Sequence, residues 1–170
     1  ASGGNYNVLI GDEAGTAITT GDGNVAIGYT ALDAEDEHGY NVAIGFEALT
    51  AQDAGADAYN VAIGASAGAT MSTGSNNVLL GTSAGQRMTT AIKNVVVGNA
   101  ALDHLVDADF NVAVGHNALT ADTYGSGSTA IGYQALQTQN FTTATDSNNT
   151  AVGYNAGQAI TTGTKNNFIG

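Results

Sequence analysis

Positions 41–45 read polar, large, small, large, glycine: Asn41, Val42, Ala43, Ile44, Gly45. Alternation with period two is the signature of a strand with two unlike faces. β-Branched residues cluster in it and a glycine closes it, which argues against a helix. The pattern then recurs. Copies of the nine-residue segment 41–49 lie at 24–32, 60–68, 77–85, 94–102, 111–119 and 149–157, with looser ones at 7–15 and 128–136 and the start of another at 166–170. The central glycines are Gly11, Gly28, Gly45, Gly64, Gly81, Gly98, Gly115, Gly132, Gly153 and Gly170, separated by 17, 17, 19, 17, 17, 17, 17, 21 and 17 residues.

Self-similarity at a short fixed period means stacked units that each touch only their neighbours. Seventeen residues are too few for a helical-hairpin repeat, which needs roughly 33, and the frame of a leucine-rich repeat is missing. A coil of two or three short strands fits. The sequence therefore predicts an all-β chain, one parallel β-solenoid domain over residues 1–170, with about ten coils of 17 residues and no helices of note. Coils stacked at about 4.8 Å give a rod of roughly 45–50 Å.

Within a coil, the large residues are expected to point inward as two columns. One runs through Val8, Val25, Val42, Val61, Val78, Val95 and Val112, the other through Ile10, Ile27, Ile44, Ile63, Leu80, Val97, Val114, Ile131 and Val152. The glycine after them is expected to turn a corner at positive φ, with a second short strand on the next side. The asparagines that open each strand should form a ladder of side-chain amides from coil to coil. Segments ending in glycine (Gly15, Gly68, Gly85, Gly157) place Ile18, Met71, Met88 and Ile160 three positions later. Those ending in leucine (Leu32, Leu49, Leu102, Leu119, Leu136) place Glu35, Gln52, Leu105, Asp122 and Gln139 there. Each coil thus supplies one bulky plug, from either site, to avoid a void. The longer arms, 50–59 and 137–148, should bulge outward without breaking the stack. The acidic stretch 33–38 reads as a loop or exposed edge.

Composition narrows the chemistry. Fifteen Asp and Glu face Arg87, Lys93 and Lys165, for a net charge of −12. That charge opposes binding to nucleic acid or to anionic lipid surfaces. No run approaches the roughly 18 apolar residues of a membrane span, and no signal peptide is visible. With no cysteine, disulfides and thiolate metal sites are excluded, and the absence of proline leaves nearly every position free to join a ladder.

Candidate sites are few. His38, His104 and His116 fall in different coils without ligand spacing. Ser126 between Gly125 and Gly127 lacks the strand-to-helix elbow of a hydrolase nucleophile. No catalytic, cofactor or metal residues are expected, and no enzyme. Ca²⁺ is the one cofactor to weigh, at Asp33, Glu35, Asp36 and Glu37 or at Asp103, Asp107 and Asp109; a solvated acidic surface is the favoured reading. Aromatics recur at two fixed places. Tyr29, Phe46, Tyr133 and Tyr154 follow the corner glycine, and Tyr6, Tyr40, Tyr59 and Phe110 precede the strand asparagine. They are candidates for a seam between chains or for a stripe that holds a sugar.

The Asn-Val-Ala-Ile-Gly run resembles the head repeats of trimeric autotransporter adhesins (YadA-like). Segment 149–156, Asn-Thr-Ala-Val-Gly-Tyr-Asn-Ala, is similar to repeats of phage tail fibres and bacterial surface fibres. The resemblance covers nearly the whole chain. It implies a left-handed parallel β-roll assembled as a homotrimer, located outside the cell, on a cell surface or on a virion. The expected function is a non-enzymatic structural and adhesive fibre subunit whose partner is itself, as a homotrimer, an end-to-end filament, or both. Apolar strands at the two ends, Val8-Leu9-Ile10 and Phe168-Ile169-Gly170, point the same way, either through neighbouring subunits or through a chain that continues. A surface glycan or receptor is a possible further partner; nucleic acid and membrane insertion are not expected. The alternative is a solenoid module that binds a glycan or ice, against which stands the irregular spacing of Thr19-Thr20, Thr89-Thr90 and Thr161-Thr162.

Overall fold

A computed structural model describes residues 3–35 and 37–170. Ten three-residue strands stack in parallel: β1 (Val8–Ile10), β2 (Val25–Ile27), β3 (Val42–Ile44), β4 (Val61–Ile63), β5 (Val78–Leu80), β6 (Val95–Val97), β7 (Val112–Val114), β9 (Thr129–Ile131), β11 (Thr150–Val152) and β12 (Asn167–Ile169). Two shorter strands, β8 (Gly125–Ser126) and β10 (Thr145–Asp146), pair beside them as a separate parallel ladder. The chain is a parallel β-solenoid. Register is kept throughout the large sheet, with Val25 opposite Val42, then Val61, Val78, Val95 and Val112.

The columns are real but face the other way. Ala26, Ala43, Ala62, Leu79, Val96, Ala113, Ala130 and Ala151, the middle residues of their strands, are fully buried. The flanking Val and Ile columns are half-exposed or exposed; Val95 and Ile63 keep 38% and 40% of their surface. Parity explains this. The strand-opening asparagine lies two residues before the alanine and shares its face. Burying the asparagine ladder therefore turns the valine and isoleucine outward. A lumen closed by alanines from one wall and by Ala31, Leu32, Ala48 and Leu49 from the next is narrow, which suits a small strand-centre residue.

The second wall is not a strand. Each coil turns there through residues at positive φ, such as Glu47 (54°) and Leu49 (49°), yet its amides still reach the adjacent coil: Leu49 N–H donates to Ala67 O at 3.0 Å and Glu47 N–H to Tyr29 O at 2.9 Å. The corner glycines have φ of 131–141°, as positive φ at a corner requires.

The plug is present in both forms. Ile18, Met71 and Met88 are buried as completely as Leu32, Leu49, Leu102, Leu119 and Leu136, and Ile160 packs partly buried against the same core. At Gly85 a Cβ would lie 2.5 Å from Met88 Sδ, so the methionine occupies the room a leucine would take. The third arm position faces the lumen even where it is polar: Glu35, Gln52, Asp122 and Gln139 are fully buried. This corrects the expectation that the acidic stretch is exposed. Glu37 is exposed, but Glu35 points inside and accepts the His38 N–H at 3.1 Å. Asp36 lies outside the described residues.

Both long arms leave the stack intact, since β3 pairs directly with β4 and β9 with β11. Residues 55–57 and 142–144 are exposed, as bulges should be. The second arm also folds back, burying Phe141 and pairing β10 to β8.

Candidate interaction face

Each coil presents four outward positions along the strand and its flanks. In the third coil they are Tyr40, Val42, Ile44 and Phe46, and in the fourth Tyr59, Val61, Ile63 and Ala65. The two inner ladders carry Val, Ile and Leu, relieved only by Thr129, Thr150 and Asn167, and bear no charge. Stacked over ten strands, they present on the order of 400 Å² of flat apolar surface. The largest exposed apolar patch of a monomer is commonly about 300–600 Å² and is often functional. On a chain of net charge −12 such an uncharged strip stands out.

The eight aromatics border this strip and all are exposed. Three pairs stack along the axis: Tyr29 on Phe46 with ring centroids 5.5 Å apart, Tyr40 on Tyr59 at 5.3 Å, and Tyr133 on Tyr154 at 5.0 Å. His116 extends the last pair, 5.5 Å from Tyr133, a member that the aromatic pattern alone does not include. Near-parallel rings at these distances stack on one another from coil to coil, so part of each face is covered by its neighbour. Tyr6 stands exposed, and Phe110 lies under the Lys93 ammonium, 5.3 Å from its centroid. Tyr6, Tyr40, Tyr59 and Phe110 share a left-handed backbone, φ 55–62°, so their Cβ vectors repeat from coil to coil. Glu13, above all, raises the phenol pKa of Tyr29, whereas burial is the leading cause for Tyr59, with Asp57 second.

Other candidate residues are accounted for by local roles. Asp33 accepts the Thr16 hydroxyl, and Asp109 accepts the Ile92 N–H at 2.8 Å. Asp103 lies 3.9 Å from His104, and His38 lies 3.8 Å from Glu35. Ser126 Oγ accepts the Asp109 N–H at 3.1 Å within β8. Among the described residues, no three His, Asp or Glu side chains converge as a cation site requires, and no helix is long and apolar enough to cross a membrane.

Behind the face runs the asparagine ladder, though not as amide on amide alone. Each side-chain oxygen accepts the backbone N–H of the next ladder residue, as in Asn41 to Asn24 (2.9 Å), Asn77 to Asn60 (2.9 Å) and Asn111 to Asn94 (2.8 Å). Most Nδ2 groups in turn tie their strand to the arm that follows, as in Asn77 to Ala91 O at 2.9 Å, whereas Asn41 Nδ2 donates back to Gly39 O at 3.4 Å. The ladder fixes the register of the outward columns.

The lumen also holds ionisable Asp122. Its carboxylate accepts the Gln139 amide at 2.6 Å and the N–H groups of Gly125 and Phe141, each at 3.1 Å. Burial nonetheless pushes its pKa above the usual aspartate range, and the hydrogen bonds offset only part of that. Between the unfolded value of about 3.9 and the raised folded value, the folded chain binds more protons. The contribution of this carboxyl is therefore fully present below about pH 3.9 and is lost as pH rises through the folded value. Asp122→Asn should therefore gain stability on the parent as pH rises above about 4, measured by urea unfolding at several pH values. Parallel profiles would refute it.

Comparison with family models, with curated proteins and with solved structures returns no match. The class of the molecule is thus defined by its own geometry: a parallel β-solenoid with one flat, uncharged, aromatic-bordered sheet face.

Proposed function

We propose that the chain is a non-enzymatic structural and adhesive subunit of an extracellular fibre, on a cell surface or a virion, that assembles through identical chains. The observation that carries this reading is the outward Val/Ile sheet. A strip of this size left to water costs on the order of 10 kcal/mol at 25 cal/mol/Å², and a second copy of the same strip covers it without introducing charge. Sequence resemblance to YadA-like heads and tail-fibre repeats supports a three-fold arrangement, and the dimensions agree. Outward positions span about 10 Å along each three-residue strand and at most about 20 Å with the flanking aromatics. Three faces of that full width around a common axis would each lie at most roughly 6 Å from it, near half the ~10 Å spacing of packed sheets. Val and Ile then fill the centre, and the bordering aromatics meet at the three seams.

The test is the mass in solution at micromolar concentration. The parent is expected to sediment as a homo-oligomer, while Val78→Lys/Val97→Lys, both outward, should sediment as a monomer with an unchanged circular dichroism spectrum. A parent that is a monodisperse monomer would sink the assembly.

A further inference from the structure

We propose that Tyr40–Tyr59 and Tyr133–Tyr154 are oxidative cross-linking sites, at which dityrosine bonds staple neighbouring coils. The solenoid repeats these positions once per coil, and the ladder behind them holds the register. The rings in consequence sit 5.3 Å apart at 8° from parallel in the first pair and 5.0 Å apart at 8° in the second. In the single chain all four keep between 41% and 69% of their surface, so a diffusing oxidant reaches them wherever the seams are open, as in the lysine variant. Pairs held in this way react as if at very high local concentration.

The step balances with an external oxidant, here hydrogen peroxide acting through a haem peroxidase and reduced to water. Each phenol loses one electron, and its hydroxyl proton passes to solvent. The two phenoxyl radicals couple through a new carbon–carbon bond between ring carbons ortho to oxygen. The hydrogens on those carbons shift to the oxygens as aromaticity returns, so the product has lost two hydrogens overall.

Three tyrosines serve as internal controls. Tyr29 stacks on Phe46, which has no hydroxyl, and among the described residues Tyr6 and Tyr124 stack on no tyrosine ring. Cross-linking is a property of one chain and does not require the fibre. The experiment treats the parent and Val78→Lys/Val97→Lys with peroxidase and peroxide, then cleaves at acidic residues. Glu47, Asp53 and Asp57 lie between the first pair and Asp146 between the second, so a link leaves two fragments joined. The expected products join Tyr40 to Tyr59 and Tyr133 to Tyr154 in both proteins, minus two hydrogens, with the blue dityrosine emission and an unfolding midpoint raised by several degrees. Tyr59→Phe should remove the first product and leave the second, and Tyr154→Phe the reverse. Links spread over all seven tyrosines, links found only between chains, or oxidised monomers without dityrosine would each overturn the assignment.

Discussion

Gly64→Ala is expected to destroy the cooperative fold, with a loss of more than about 4 kcal/mol, a large part of the 5–15 kcal/mol that holds an ordinary domain together. Two costs combine. The residue sits at φ 141°, a conformation that only glycine adopts without strain. A Cβ there would also lie 2.4 Å from Gly81 O and 2.5 Å from Gly81 C in the next coil. The obstacle is backbone, so no side chain can swing away; the coils must separate, and the hydrogen bond from Gly81 N–H to Ile63 O at 2.8 Å goes with them. Gly55 in the long arm is the control. Its φ is also positive, at 65°, but nothing lies within 4 Å of its Cβ position, so Gly55→Ala should cost only the left-handed penalty of about 1–2 kcal/mol. Urea unfolding of the two variants checks the contrast. Similar losses would show that the close approach of the stacked corners does not matter.

The repeat period was fully legible, because each coil writes the same strand, corner and plug. Which face of the strand is inside was not legible from size alone. Asn-Val-Ala-Ile can bury either alternate pair, and the larger pair is the natural choice for a core. The deciding signal lay in the exceptions. The alanine column admits Leu9, Leu79, Val96 and Phe168 but no polar residue, whereas the valine column admits Thr129, Thr150 and Asn167. A column that tolerates Thr and Asn at the first strand position, while its neighbour column admits none, faces water. With the strand turned this way, the aromatics legible from their spacing border an exposed apolar sheet. Buried Gln52, Asp122 and Gln139 escaped because partners such as Ser72 O at Gln52, and the Phe141 N–H and the Gln139 amide at Asp122, come from neighbouring coils and long arms, while Glu35 is held by the His38 N–H of its own arm.

Asn77→Ala is expected to cost about 3–5 kcal/mol, because the ladder joins backbone groups that water cannot reach. Asn77 Oδ1 accepts the Asn94 N–H at 2.9 Å, and its Nδ2 donates to Ala91 O, also at 2.9 Å. Truncation leaves that buried donor and acceptor unsatisfied, each costing about 1–3 kcal/mol. The chain contains its own comparison at Ser128, which stands in the ladder where asparagine is the rule. Ser128 Oγ still receives the Asn149 N–H at 3.2 Å, and Ser147 from the next coil brings a second hydroxyl to 2.7 Å. A shorter ladder side chain is thus tolerated where the next coil adds a polar partner. At Asn77 the position matching Ser147 is Ile92, which has no hydroxyl. Asn77→Ser should therefore retain one acceptor, gain no helper and lose about 2 kcal/mol, between the parent and the alanine variant. Because coils touch only their neighbours, the damage should be local: amide exchange should speed first at Asn94, whose N–H loses its acceptor, and in β6 directly after it. Alanine and serine variants within 1 kcal/mol of the parent, or uniform exchange along the rod, would show that apolar stacking alone holds these coils in register.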